Sequence, residues 1–217
     1  YSINVLGTLN VLRSCLRMPT PPWVVYVSSS LVSGNAGAVI TEDSPVCSIN
    51  HYAASKIAAE AVVQAFTHDS GLKSVILRPF NHTGVGQSPI YLIPKLVKAF
   101  RGGDAVIPMG NLQVTRDFLD VRDVVRAYGS VMDALDSIRP GSVFNICSGK
   151  PHTIDDIILM LKEISGLSPE IEQRKEFIRA NDINFSVGDN SLFAKTFGWK
   201  PRHSFRETLE WMYNAAS

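Results

Sequence analysis

The chain of 217 residues has little of several features that mark common protein classes. Its three cysteines, Cys15, Cys47 and Cys147, are widely spaced and form no CxxC pair, which argues against a disulfide framework and favours a reducing, cytoplasmic compartment. A net charge of +1 predicts no basic surface for nucleic acid or for an anionic membrane. No apolar run approaches the roughly 20 residues of a membrane-spanning helix. A hydrophobic content of 45% is typical of a soluble globular protein, and we predict no metal site.

The first eighty residues alternate between helical and strand patterns. Apolar spacing predicts helices over 4–17 and from 52 to about 70, the second ended by Gly71. Continuous apolar runs predict buried strands over 23–27 and 74–78. Helices that alternate with buried strands indicate βα units on a parallel sheet.

From residue 81 the composition changes to a more polar mixture of short elements. Residues 81–89 are predicted to form a loop. Capping boxes at 153–156 and 204–207 predict helix starts. The further predictions are helices over 93–100, 123–135 and 157–164, and strands over 105–107 and 142–147. This part is expected to form a smaller mixed module that can close over a site on the first.

A tyrosine and a lysine at the start of the second predicted helix, Tyr52 and Lys56, form the strongest chemical pattern. Four residues apart, they share one helix face, and an ammonium group beside a phenol favours the ionised phenolate. Three serines, residues 28–30, end the strand before them, and parallel sheets bind ligands beyond the carboxyl ends of their strands. An isolated pair of this spacing is more often an exposed helix turn, and most such serines are turns or caps. In this order, the residues predict a Ser-Tyr-Lys site for carbonyl or alcohol redox chemistry.

A series of motifs resembles the extended short-chain dehydrogenase/reductase family, the NAD-dependent epimerases and dehydratases of nucleotide sugars. The supporting segments occur in the family's order and span almost all of the chain: 4–8, 27–34, 52–56, 78–81, 116–121 and 198–201. Segments 80–87 and 110–117 most resemble the GDP-4-keto-6-deoxy-D-mannose reductases. The implied fold is α/β. It comprises the C-terminal part of a Rossmann-like doubly wound parallel sheet (1–80, with 118–149 packing back onto it) and a small α/β substrate-binding domain (mainly 81–217).

The same resemblance implies roles for individual residues. Ser29, Tyr52 and Lys56 become the catalytic set, with Tyr52 as the general acid. The NAD(P)H contacts would be Asn4, Tyr52, Lys56 and Pro79. The contacts to the nucleotide sugar, expected to be GDP-linked, would be Ser30, Asn81, Arg116 and Arg179. Arginine suits a diphosphate because its planar fork binds phosphate bidentately, although Arg116 and Asp117 could instead form a surface ion pair and Asn81 could satisfy a turn.

Departures from the family pattern narrow the activity. Ser30 and Leu31 stand where the family's dehydratases carry acidic residues, and Leu31 replaces the cysteine of the GDP-fucose epimerase-reductase. Dehydration and that epimerisation are therefore disfavoured, which leaves reduction of a 4-keto nucleotide sugar, to GDP-D-rhamnose in the GDP-mannose branch. Ser33 in place of the usual tyrosine and Val85 in place of the usual proline affect the expected substrate fit.

A glycine-rich loop for the pyrophosphate is missing, since none of the fifteen glycines forms GxxGxxG after a strand. We expect a segment of a longer enzyme, inactive alone, rather than an enzyme that has lost cofactor binding. Two alternatives remain open. One is a nucleotide-sugar 4-epimerase with the same catalytic residues. The other is a non-catalytic nucleotide-sugar-binding or dimerisation module, because helices 4–17 and 52–70 match those of the family's homodimer interface.

Overall fold

The computed structural model describes residues 1–34, 37, 39–177 and 183–215. The chain opens with a π-helical turn, Ser2–Gly7, that continues into α1, Thr8–Leu16. Strand β1, Val24–Val27, helix α2, His51–Ser70, and strand β2, Ser74–Pro79, follow. The predicted order of helix, strand, helix and strand is confirmed, and only the π-helical start of the first helix differs. In the part of the chain with described structure, no helix is both long and apolar enough to cross a membrane.

Strands β1 and β2 and the later strand β6, Ser142–Ile146, form a parallel sheet in the order β1-β2-β6. Val24 lies opposite Ser74, and Arg78 lies opposite Asn145. Apolar residues of α1 and α2 pack on one face, and those of α4, Val121–Asp133, pack on the other. Because helices cover both faces of a parallel sheet, the predicted α/β class of Rossmann-like type is confirmed.

The rest of the chain contains short strands and further helices. The strands are β3, Asn81–Thr83; β4, Val106–Met109; β5, Thr115–Asp120; β7, Pro151–Thr153; β8, Glu170–Gln173; and β9, Phe185–Ser186. The helices are α3, Leu92–Gly102; α5, Ile154–Ser165; α6, Ser191–Phe197; and α7, Phe205–Asn214. Strand β5 pairs with β3 and β9 in parallel and with β7 in antiparallel orientation, while β4 pairs with β8.

Two predictions for this part were wrong or incomplete. Residues 81–83 form a strand rather than a loop, because they pair with β5. Helix α4 begins two residues earlier than predicted, since the Asp120 carboxylate caps it by accepting from Arg122 N at 2.8 Å. Both predicted capping boxes are present, Thr153 with Asp156 and Ser204 with Glu207.

The apolar packing falls into separate clusters. Helices α3, α5 and α7 share one cluster, which includes Leu96, Ile157 and Leu209. Residues of β5 and α4 instead pack against β2 and β6, with Leu119 beside Leu77 in the same cluster. The contacts place part of residues 118–149 on the first sheet, while the domain boundaries themselves stay a prediction.

Candidate active site

A cleft of about 860 Å³ opens where strands β1 and β2 end. Its lining residues fall into two groups of segments, each called a wall below: the ends of these strands with the start of α2, and β3, the start of α3 and β4 to β5. Seven of the nine residues expected in the site line it: Ser29, Ser30, Tyr52, Lys56, Pro79, Asn81 and Arg116. The parallel sheet therefore brings together residues that are far apart in sequence, at the edge where such sheets bind ligands.

Tyr52 and Lys56 lie on the first turns of α2. The Asn50 side chain caps this helix by accepting from Ala53 N at 2.8 Å, which fixes where the helix starts. Tyr52 is 47% exposed and lines the cleft, which leaves the residue accessible to a ligand. One turn later, Lys56 Nζ donates to the Val27 carbonyl oxygen at 2.8 Å and lies over the Tyr26 ring.

The charge of Lys56 is under two opposing influences. Partial burial lowers the pKa of Lys56, and the carboxylate of Glu60 partly offsets this by favouring the ammonium form. Because Lys56 also donates to a carbonyl at the end of β1, its ammonium is held within the cleft. The arrangement can stabilise negative charge that develops on a neighbouring phenol.

Ser29 has a second role that the sequence did not show. Its extended backbone precedes a 3₁₀ turn, Ser30–Ser33, and its Oγ accepts from Leu31 N at 3.2 Å. A hydroxyl that accepts in this way keeps its own proton for donation. Gly34 ends the turn with φ of +58°, and a Cβ there would lie 3.0 Å from the Cys47 carbonyl oxygen, so glycine is needed to place the serine segment.

Asn4 lies beside α2, and its expected contact with the cofactor stays a prediction. It is not among the described residues that line the cleft, and its Nδ2 donates to Ser55 Oγ at 2.9 Å. Ser55 lies between Tyr52 and Lys56 on α2 and also donates to the Tyr52 carbonyl oxygen at 2.7 Å. Asn4 therefore attaches the N-terminal turn to the helix that carries the candidate catalytic pair.

Asn81 on β3 and Arg116 on β5 belong to the second wall of the cleft. Asn81 is exposed, and its Nδ2 donates weakly to the Asp117 carbonyl oxygen at 3.3 Å. Arg116 Nη1 donates to Thr115 O at 3.0 Å. The alternative of a surface ion pair between Arg116 and Asp117 is wrong, because Asp117 is fully buried. Its carboxylate instead accepts hydrogen bonds from Ser148 N and Gly149 N. Arg179 lies outside the described residues.

Several cleft residues were not identified from the sequence. His82 lines the cleft and its Nδ1 lies 3.0 Å from Phe80 O. Tyr91 is 55% exposed and Phe177 is 46% exposed, and both form part of the cleft wall. The backbone of Phe177 packs so closely on Gly110 that a Cβ there would lie 2.5 Å from the Phe177 carbonyl oxygen. Of His82, Tyr91 and Phe177, His82 alone falls within a segment of the resemblance, residues 80–87.

Comparison with known proteins defines the class. The description "NAD dependent epimerase/dehydratase family" matches residues 1–147, and the chain belongs to this family. It is 33% identical over 215 residues to GDP-6-deoxy-D-mannose reductase of Pseudomonas aeruginosa, covering 95% of this chain and 70% of that protein. It is 32% identical over 216 residues to GDP-6-deoxy-D-talose 4-dehydrogenase of Aggregatibacter actinomycetemcomitans, covering 98% and 72%.

A solved structure supports the same family assignment. The structure of RMD from Pseudomonas aeruginosa complexed with NADPH superposes with a TM-score of 0.88 at 31% identity, covering 98% of this chain and 72% of that one. These findings confirm the predicted family, fold class and, at the level of the family, the NAD(P)H cofactor. They also support nucleotide-sugar-modifying chemistry among its members. The roles of individual site residues stay predictions.

Proposed function

We propose that the protein containing this chain is an NAD(P)H-dependent reductase of a 4-keto nucleotide sugar, with a GDP-linked 4-keto-6-deoxymannose as substrate and GDP-D-rhamnose as product. The observation that carries the proposal is that Ser29, Tyr52 and Lys56 line one cleft beyond the ends of two parallel strands. Similarity to a GDP-6-deoxy-D-mannose reductase supports the choice of substrate.

The proton chemistry follows from these three side chains. Tyr52 donates its phenolic proton to the alkoxide oxygen that develops at C4, and the remaining phenolate is stabilised by the Lys56 ammonium. Ser29 donates a hydrogen bond to the same oxygen, since its lone pair already accepts from Leu31 N and its proton is free for this. Only groups that bind the oxygen more strongly as its charge grows can accelerate the step.

The cleft also fits a nicotinamide cofactor at its reactive end. A half-buried ammonium, an exposed phenol and the end of β2 at Pro79 line the same wall, and the donor set of Lys56 and Tyr52 suits ribose hydroxyls. When bound, the nicotinamide supplies the hydride that reduces C4. Lys56 would orient the ribose, the backbone at Pro79 would approach the carboxamide, and Asn4 would lie near the cofactor.

On the second wall, Asn81 and Arg116 are proposed to hold the diphosphate. The exposed Asn81 amide is an available donor, and its internal contact of 3.3 Å is weak enough to exchange for a better acceptor. A guanidinium can bind phosphate oxygens through two N–H groups. Ser30 and Arg179 are proposed as further contacts to the nucleotide sugar.

A homodimer through α1 and α2 is part of the proposal. Ile3, Leu6 and Val11 are 83%, 56% and 56% exposed on the N-terminal helical segment, which is a surface that a second copy could cover. Sedimentation of wild type and of a Leu6→Lys variant should show a dimer and a shift to monomer, respectively.

The test of the reaction is Tyr52→Phe in the complete gene product. Removing one hydroxyl keeps the ring and its packing but removes the proton donor, so kcat should fall roughly 10²–10⁴-fold while substrate affinity changes little. Steady-state NADPH oxidation with the 4-keto sugar nucleotide measures both constants. Turnover close to wild type in this variant would show that Tyr52 is not the acid.

A further inference from the structure

A buried ion pair lies directly behind the candidate catalytic helix. Arg78 on β2 and Glu60 on α2 are only 5% and 7% exposed. The contact is bidentate: Arg78 Nε donates to Glu60 Oε1 at 3.0 Å, and Nη2 donates to Oε2 at 2.7 Å. Such a fork-to-carboxylate geometry fixes orientation as well as distance, because two parallel bonds must be satisfied at once.

The remaining nitrogen of Arg78 extends the contact to a third segment. Nη1 donates to the Glu42 carbonyl oxygen at 3.2 Å. The Glu42 carboxylate in turn accepts from Asn145 N on β6 at 2.8 Å, and burial raises the pKa of this carboxyl. Arg78 therefore joins α2, β2 and the chain before α2, and through Glu42 it reaches β6.

The two partners lie close in sequence to Lys56 and Pro79, which line the cleft. Glu60 follows Lys56 by one helical turn, and Arg78 immediately precedes Pro79. Neither Arg78 nor Glu60 is among the described residues that line the cleft. The pair is thus buried outside the cleft lining, and it connects the helix that carries Tyr52 and Lys56 with the strand end at Pro79.

Stability alone gives a weak reason for this arrangement. Taking two charges out of water costs nearly as much as their attraction returns, and an apolar pair of similar volume is often at least as stabilising. A bidentate pair does supply a fixed geometry, which apolar packing defines less sharply. Misplacement by about 1 Å can cost a reaction roughly a hundredfold in rate.

We propose that Arg78 and Glu60 are positioning residues of the reaction site, which hold Tyr52 and Lys56 at a fixed distance from Pro79. This inference rests on the reductase function proposed above. It adds two residues that act through others and lie outside the cleft lining.

The same pair affects the charge of Lys56, because Glu60, the ion-pair partner of Arg78 on β2, is one of the described groups that face this ammonium. From β1 these are the Tyr26 ring and the Val27 carbonyl oxygen, and from α2 they are Tyr52 and Glu60. Among them Glu60 favours the charged amine, while burial lowers the pKa of Lys56. Lys56 is charged below its pKa, so loss of the Glu60 charge should make it neutral at a lower pH. The alkaline limb of the rate profile should then move to lower pH.

The decisive variant removes both charges, Arg78→Met with Glu60→Met, in the complete gene product. Without an unpaired buried charge it should fold, with a melting temperature near that of wild type. We expect kcat to fall about tenfold to a hundredfold with KM for the sugar nucleotide within about twofold, since binding groups are untouched. The alkaline limb should shift to lower pH. A matched control replaces the exposed pair Glu163 and Arg206 by methionine. It should leave kcat, KM and the alkaline limb unchanged.

A second measurement does not depend on turnover. An NMR titration of ¹³C-labelled lysine side chains, with Lys56 assigned from a Lys56→Arg variant, should give a lower pKa for Lys56 in the double methionine variant than in wild type. A folded double variant with wild-type kcat and an unmoved Lys56 titration would overturn the inference. Should the double variant fail to fold, Arg78→Lys tests the positioning role instead. It keeps the positive charge but loses the bidentate contact of the guanidinium with Glu60. Reduced kcat at unchanged KM supports positioning, and wild-type kcat overturns it.

The outcomes separate this inference from the proposed function. If Tyr52→Phe retains turnover, the reductase assignment fails, while the Lys56 titration still reports on Glu60. If Tyr52→Phe loses turnover and the methionine pair does not, the reaction stands and the positioning role is wrong.

Discussion

The two walls of the cleft are built in different ways. On the α2 wall, Lys56 is bonded to the end of β1, and the buried Arg78–Glu60 pair attaches the helix to β2. On the second wall, Asn81 is exposed and weakly bonded, and Tyr91 and Phe177 are about half exposed. Groups that must hold a reacting atom within a fraction of an ångström need a rigid support, whereas groups that recognise a substrate can adjust when it binds. The first wall should therefore control kcat and the second KM.

The largest expected effect tests the first wall. Lys56→Met removes the ammonium but keeps most of the aliphatic chain, so kcat should fall about 10²-fold or more, with weaker cofactor binding. Lys73→Met is a suitable control because Lys73 also lies over an aromatic ring, that of Trp23. Steady-state kinetics and NADPH titration by calorimetry give both values. An unchanged kcat would remove Lys56 from the reaction.

A smaller effect is expected on the second wall. Arg116→Ala should weaken nucleotide-sugar binding by on the order of 1.5–3 kcal/mol, the strength of a charge-assisted hydrogen bond. Arg116→Lys should lose less, since it keeps a point charge without the planar fork. KM and product inhibition report the change, and kcat should move little. A loss of kcat at constant KM in Arg116→Ala would contradict the division between the two walls.

The smallest effect concerns the base. If the substrate is GDP-linked, GDP should inhibit more strongly than UDP or dTDP, by about tenfold if one additional hydrogen bond distinguishes guanine. Inhibition constants for the three nucleotides against the complete enzyme measure this. Equal potency would remove the GDP assignment and leave the reductase chemistry standing, while stronger inhibition by dTDP would move the substrate to the dTDP-sugar branch.

The parts of the structure that could be predicted from the sequence are those with local signals. Helix α2 was predicted because its apolar period and its terminal glycine are local signals, and Gly71 indeed ends it with φ of +67°. Strand β1 was equally clear from its continuous apolar run. Tyr52, Lys56 and Ser29 were predicted to share a site because parallel strands end at one edge of a sheet, and all three line the cleft.

Long-range contacts account for what was missed. Strand β5 contains Arg116, Asp117 and Asp120, a pattern that predicts no buried strand. It forms because its backbone pairs with β3, β7 and β9, and its buried Asp117 carboxylate accepts from backbone N–H groups of residues more than thirty positions later in the chain. Phe177 borders the cleft because the glycine at 110 leaves room for its backbone, which no local pattern reveals. Such elements depend on partners that only the folded chain supplies.

The bond from Lys56 to the end of β1 has a consequence for the ammonium itself. An ammonium group is a rotor with three equivalent N–H directions. Because one of them is committed to the Val27 carbonyl oxygen at 2.8 Å, the other two can no longer turn freely. Their orientation is set when the chain folds, so a ligand with two neighbouring oxygens meets a donor pair whose rotational entropy has already been lost. The backbone of β1 thus selects ligands by the angle between their acceptors as well as by their charge.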